Sequence, residues 1–361
     1  MKKSFLVIFL ALVVLATVHT SFAASVSPGS GHGPVINRGG VHDYESSAIR
    51  YHSGNLRVWS CTNHEGHDAI YMTVFNTDHP TSVNNTDYPW PPSLSSWPAL
   101  LPSPGYFDEK HACSPAVVNW PENGTEYRMY YECSTGSRAD ICFAKSSDFG
   151  ASWAKVGRII QSPGGGSYGM GHTSAVLNPN DPTQTFLYYY DGTCWDGPPC
   201  PVMRRRILGS DGVCILDDRK TDGGLSFPVK VKYYHPDSTG GKGAFYLATS
   251  LVSDPAWVAI WTSTDGLRFT QAGGVLIPGD PDARICGLDP GQLIADGNGW
   301  IRTPTSDLQV LIGAGKIAAN DVYATSDPTV ARNAWWCGIP SEPTRGSTWA
   351  VYIKRFSITL P

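Results

Sequence analysis

The chain has no run of lysine or arginine longer than Arg204-Arg205-Arg206, and its formal charge is -4, or -6 once Lys2 and Lys3 are set aside. Phosphate recognition needs clustered cations, so nucleic acid and anionic membrane are excluded as expected partners. The arginine triplet itself reads as a strand with solvated side chains. No apolar segment after the first 24 residues approaches the roughly 20 residues that cross a bilayer, so the rest of the chain is expected to be soluble. CxxC pairs and Cys/His clusters at zinc spacing are missing too, so a structural metal is not expected, and no motif calls for a cofactor. Long helical periodicity is also lacking.

What is present begins with a leader. Lys2 and Lys3 precede an apolar stretch from Phe5 to Val18, which ends at the small-residue site Ser21-Phe22-Ala23 before Ala24. This predicts a signal peptide over residues 1–24 and a secreted or periplasmic product. All nine cysteines follow it, in the part that would enter an oxidising compartment. Cys133 and Cys142 flank a turn and are expected to staple a hairpin, Cys194 and Cys200 bracket Trp195 to Pro199, and the odd count leaves one thiol over. Sequons at Asn84 and Asn123 matter only in a glycosylating host, and the Lys-Lys start reads as bacterial.

With 38 Gly, 28 Pro, 12 Trp and 17 Tyr, the chain is rich in turn and strand formers. One unit recurs: a small-residue start and apolar strand, an aromatic strand, another apolar strand, then Ser/Thr-Asp near Gly or an aromatic. The clearest copy runs from Ser114 through Tyr127–Tyr131 and Ile141–Ala144 to Ser146–Trp153. The next runs from Thr173 through Phe186–Tyr190 and Val202–Leu208 to Ser210-Asp211-Gly212. Further copies start at Ser47, near Phe245 and at Gln292. Their turn aspartates, at 78, 148, 211, 265 and 327, are spaced by 70, 63, 54 and 62 residues. A small sheet cannot bury both faces alone, so five such units predict an all-β, five-bladed β-propeller as a single domain over residues 25–361. A β-sandwich is the rival architecture.

Ser146 to Trp153, Ser-x-Asp-x-Gly-x-Ser-Trp, resembles the Asp-box of sialidases, and Thr221 to Phe227 is a looser version. That resemblance implies structural aspartates, accepting backbone N–H groups in a hairpin turn. The five-blade count, the strand entries and Tyr-Tyr-Glu-Cys before a hairpin resemble the five-bladed glycoside hydrolase clan of arabinanases, xylosidases and fructosidases. The resemblance implies a blade-one Asp as base or nucleophile, a blade-three Asp that orients the site and a blade-four Glu as acid. Only the first carries over, to Asp43. Blade three offers His172 and Thr173 instead, and the fourth inner strand near Phe245 has no Glu.

Glycoside hydrolysis normally uses two carboxyls, one protonated and one ionised. Beside Asp43, the strand entries offer Asp289, and Glu132 follows the aromatic strand of blade two. His42, His111 and His172 recur at strand entries, where they can converge on the axis and hydrogen-bond sugar hydroxyls or hold a metal. Tyr168 and Trp195, with Trp90 and Trp97, lie in loops where aromatic faces stack on pyranose rings. Arg284 is a single candidate for a substrate carboxylate. The expectation is a secreted glycoside hydrolase acting on a polysaccharide or glycan. A lectin-like binding propeller, a sialidase and a polysaccharide lyase stand as alternatives.

Overall fold

The computed structural model describes residues 25–38, 42–51, 53–64, 67–81, 96–121, 124–136, 138–163, 169–193, 196–197, 201–222, 230–235, 243–250, 257–276, 284–288, 291–304, 306–317 and 347–359. The expected leader, Asn84, Asn123, Cys194, Cys200 and the turn at Asp327 lie outside them. Every regular element among the described residues is a β-strand. The first, β1 (Ser25–Ile36), is placed by the last. Blade one follows with β2 (His42–Arg50), β3 (Leu56–His64), β4 (His67–Phe75) and β5 (Ser96–Leu100). Blade two comprises β6 (His111–Trp120), β7 (Glu126–Ser134), β8 (Asp140–Ser146) and β9 (Ala154–Ile160). Blade three comprises β10 (Met170–Asn178), β11 (Asp181–Asp191), β12 (Val202–Leu208) and β13 (Ile215–Lys220). Blade four comprises β14 (Lys230–Tyr234), β15 (Ala244–Ser250), β16 (Trp257–Ser263) and β17 (Thr270–Leu276).

In blade five an interrupted inner strand, β18 (Arg284–Leu288) and β19 (Gln292–Leu293), pairs with β21 (Leu308–Ile317). Next comes β22 (Ser347–Thr359), and β1 adds outside it, with Ser25 opposite Thr359 and Ile36 opposite Val351. The first and last described strands therefore share one sheet, which locks the ring by backbone hydrogen bonds. The short β20 (Trp300–Ile301) runs parallel to β14. The innermost strands β2, β6, β10, β14 and β19 each pack on the next, and β19 packs back on β2. This is a five-bladed β-propeller. Because neighbouring blades cover both faces of each sheet, strands such as β7 are buried almost throughout and read as aromatic runs, not as alternation.

Between blades one polar contact recurs. A second-strand aromatic donates to the turn-glycine carbonyl of the next blade: Trp59 Nε1 to Gly150 at 2.9 Å, Tyr130 OH to Gly212 at 3.3 Å and Tyr188 OH to Gly266 at 3.0 Å. These glycines have φ near +79°, +80° and +68°, and a Cβ on Gly266 would lie 2.5 Å from the Tyr188 oxygen. Gly266→Ala is therefore expected to destabilise by about 1–3 kcal/mol, combining left-handed strain with displacement of the tyrosine. A lowered urea midpoint at constant m value would register it. Asp148 takes N–H and hydroxyl bonds from Ser152 at 3.0 and 2.6 Å, and Asp265 takes the N–H groups of Leu267 and Arg268, each at 2.8 Å. These turn aspartates are consumed by their own loops.

Three expectations need correction. The inner strand of blade four is Lys230–Tyr234, not the segment near Phe245, which belongs to the second strand. Arg204 and Arg205 are buried, not solvated: Arg204 bonds Asp196 at 2.7 Å and Asp218 at 3.0 Å, while Arg205 reaches the Asp265 carbonyl of the next blade. Trp97 lies in β5, not in a loop. The expected Cys133–Cys142 disulfide is present. A second, Cys61–Cys113, joins β3 of blade one to β6 of blade two. Its 52-residue separation is worth about 4 kcal/mol in the chain-entropy model. Cys214 is a free, exposed thiol.

Candidate functional site

One end of the axis is plugged. The segment 295–301 hydrogen-bonds to inner strands of four blades, with Ala295 accepting from Arg50, Gly297 from Asn119, Asn298 from Leu177 and Gly299 from Tyr233. All four donors lie toward the ends of their strands, so the strand beginnings gather at the opposite end. A shallow cavity lined by Arg50, Asn119 and Asp296 belongs to the plugged end.

At the open end the inner strands share a device. Glu45, Ser114 and His172 have φ of +41°, +47° and +51°, each within a register shift of β2, β6 or β10. Left-handed backbone at a residue bearing a side chain is costly and gathers at functional sites, where a bulge re-aims a side chain. Hydroxyls stitch these strands together: Ser47 Oγ accepts from Val117 N–H at 3.0 Å, Thr173 donates to the Ser114 carbonyl at 2.5 Å, and Ser174 donates to the Val231 carbonyl at 2.8 Å.

The re-aimed residues belong to one charged cluster. His172 Nδ1 is ion-paired with Glu45, and Lys230 Nζ lies 3.5 Å from the other Glu45 oxygen. Glu132 Oε2 accepts from the His172 backbone N–H and from Ser114 Oγ, each at 3.2 Å. Its Oε1 meets His111 Nε2 at 2.9 Å, and His111 Nδ1 meets Asp68 at 2.9 Å. Tyr44 OH donates to the other Asp68 oxygen at 2.9 Å. Glu45 and Glu132 are 2% and 3% exposed at the side chain, against 15% for His172, 21% for His111 and 22% for Asp68. The imidazoles and Asp68 are therefore partly exposed, and the two glutamates more deeply buried.

That layering sets the charges. Burial alone would raise the Glu45 carboxyl, but His172 and Lys230 outweigh it and hold it down to about 2. Burial opposes ionisation of Glu132 as well, and the His111 hydrogen bond wins, so its pKa is lowered. Burial would discharge His111, yet a carboxylate on each nitrogen raises it to about 10. His172 moves up in the same way, burial being overcome by Glu45. The cluster thus favours carboxylate glutamates and protonated imidazoles.

The expected site residues divide accordingly. Glu132, His111 and His172 are brought together. Asp43 is not at the cluster surface: it is wholly buried, taking the Arg38 guanidinium, the Arg38 N–H at 2.9 Å and the Thr62 hydroxyl at 2.9 Å. His172 sits at a bulge whereas His111 lies three residues before one, so the histidines are not equivalent repeats. His42 and Arg284 are placed only as strand residues of β2 and β18, and Asp289, Tyr168 and Trp195 lie outside the described residues. Sequence reasoning passed over Glu45, Asp68 and Lys230. Aligning Glu45-Ser46-Ser47-Ala48 with Ser114-Pro115-Ala116-Val117 and His172-Thr173-Ser174-Ala175 would have singled out Glu45.

No family model matches the chain, and no curated protein is similar to it in sequence. Solved structures do resemble it. A family 117 glycoside hydrolase from the marine bacterium Zobellia galactanivorans superposes with TM-score 0.55 at 12% identity, over 94% of this chain and 92% of its own. An α-L-arabinofuranosidase from Podospora anserina, solved with cellotriose, gives 0.54 at 12% over 91% and 96%. An N-acetylgalactosamine deacetylase from F. plautii, solved with blood group B trisaccharide, gives 0.55 at 14% over 92% and 95%. One shape thus carries different carbohydrate reactions. At such identities the likeness is one of fold, and the fold it shows for this chain is that of the β-propeller glycoside hydrolases.

Proposed function

We propose that this protein is a secreted carbohydrate-active enzyme of the glycoside hydrolase type, working at the open end of the propeller axis. The observation that carries the reading is the ion pair of His172 with Glu45, in one cluster with Glu132, which takes the His172 backbone N–H, and with the more open carboxylate of Asp68, which reaches Glu132 through His111. Hydrolysis needs a proton for the departing sugar oxygen and a base for the attacking water. In this reading His172 donates the proton, Asp68 takes one from water, and Glu45 keeps His172 charged. The glutamates are held ionised, so the acid is an imidazolium and not a carboxylic acid. The resemblance to propellers solved with cellotriose and with a blood-group trisaccharide supports a glycan as the ligand. Export rests on the leader sequence, and removal of residues 1–24 would leave β1 intact to close the ring. An intact mass that retains the leader after export would contradict it.

The test is release of reducing ends by the mature protein from a panel of plant, algal and bacterial polysaccharides, beside a His172→Asn variant. Turnover lost in the variant supports the reading. Saccharide binding without turnover would favour the lectin-like alternative, which the deep burial of Glu45 and Glu132 also suits.

A further inference from the structure

We infer that the Cys61–Cys113 disulfide is a positioning element of the charged cluster, holding blade one against blade two so that the chain Tyr44–Asp68–His111–Glu132 stays joined between the two sheets. Tyr44 and Asp68 stand on β2 and β4, whereas His111 and Glu132 stand on β6 and β7, so the His111–Asp68 contact is the polar link from one blade to the next. The disulfide crosses at the same level. Cys61 lies opposite Tyr44 in the β2–β3 ladder, and Cys113 lies opposite Glu132 in the β6–β7 ladder. Cys113 also immediately precedes Ser114, the left-handed residue whose hydroxyl bonds Glu132. Both cysteines are buried.

General cohesion between blades does not account for it. The blade one–two junction already has the contacts that the repeat supplies elsewhere, Trp59 to the Gly150 carbonyl and Ser47 to Val117 N–H. The blade three–four junction is held by their counterparts, Tyr188 to Gly266 and Ser174 to Val231, with no disulfide among the described residues. The extra covalent tie occurs where the polar chain crosses. An imidazolium held by a carboxylate on each side keeps its charge only while both carboxylates stay within hydrogen-bond reach, and a small relative slide of two blades would break one contact.

The activity arm of the test rests on the proposed function, whereas the titration arm does not. The experiment is NMR titration of the histidine rings in the wild type and in a Cys61→Ala/Cys113→Ala variant, with His111→Asn and His172→Asn used to assign the signals. The groups facing these rings are Asp68 from β4, Glu132 from β7, Tyr44 and Glu45 from β2, Lys230 from β14 and Tyr190 from β11, whose ring lies edge-on to His172, and none is altered. In the folded double variant the His111 midpoint is expected to fall by at least one pH unit toward ordinary imidazole, and the His172 midpoint to move in the same direction. Gly266→Ala, which weakens the blade three–four junction, should leave both midpoints in place. Where turnover is measurable, kcat should fall with its alkaline limb displaced to lower pH. Unchanged midpoints in the folded double variant would overturn the inference even if the protein proves to be a glycosidase. Shifted midpoints in a protein without turnover would uphold it while removing the proposed function. Should the alanine pair fail to fold, Cys61→Ala/Cys113→Val fills the space and gives the same reading.

Discussion

Glu45→Gln is expected to lower turnover of a cleavable glycan by about 10²–10⁴-fold, the range that general acid–base groups supply. Glutamine keeps the shape but removes the charge paired with His172, whose raised pKa depends on that carboxylate. The imidazolium persists below its raised pKa and is lost as pH rises through it, so the variant's alkaline limb should move to lower pH. Lys230, fully buried 3.5 Å from Glu45, loses a counter-charge at the same time, so stability should fall as well. Glu45→Gln/Lys230→Met separates the two effects, because removing the orphaned ammonium should restore stability but not activity. Full activity in either folded variant would remove Glu45 from the mechanism.

Lys232→Met is expected to stabilise the protein, raising Tm by up to about 6 °C at pH 6. The Lys232 side chain is buried at the axis, and the amine donates to the Ala175 carbonyl at 3.1 Å. Burial, aided by the neighbouring Lys230 and opposed by Asp296, lowers its pKa from 10.5 to about 7. At about 1.4 kcal/mol per unit, that displacement sets a ceiling on the order of 5 kcal/mol, from which a lost hydrogen bond subtracts about 1. The sign follows from the direction. A lysine depressed in the folded state penalises folding fully below about pH 7, and the penalty fades as pH rises toward 10.5. His111 acts oppositely, its contribution complete below pH 6.5 and lost as pH rises to about 10. The two slopes offset one another in the native chain, so Lys232→Met should show both a higher Tm at pH 6 and a steeper alkaline decline. Glu45 adds an acid edge, stabilising above its ordinary range and losing that contribution as pH falls toward about 2. Thermal scans from pH 3 to 10 measure all three slopes, and an unchanged Tm for Lys232→Met at pH 6 would show that the amine is adequately solvated.

Much of the architecture was written in local patterns. The aromatic strands Tyr127–Tyr131 and Phe186–Tyr190, the turn aspartates 148, 211 and 265 and the Cys133–Cys142 hairpin are signals that depend on near neighbours in the chain. The repeat of those signals was enough to count blades, because each blade must bury its faces against the next. The fourth inner strand escaped, since Lys-Val-Lys-Tyr-Tyr reads as a solvated segment until four other strands enclose it.

The site was legible only in part, and for a related reason. His111, His172 and Glu132 stand out as polar residues at strand ends, but Asp43 and Glu45 are near-equal candidates in one dimension. The left-handed turn of the backbone at Glu45 separates them, leaving Asp43 to Arg38 and joining Glu45 to His172 and Lys230. Asp68 and Cys61 gain their roles from His111 and Cys113 on the adjacent blade, at sequence separations of 43 and 52 residues. By itself, then, the sequence determined strands, turns and their five-fold recurrence, because these follow from propensity and from contacts within a hairpin. Only the tertiary structure decided which charges share the axis and which protons they hold, because burial and partnership between blades belong to no single segment of the chain.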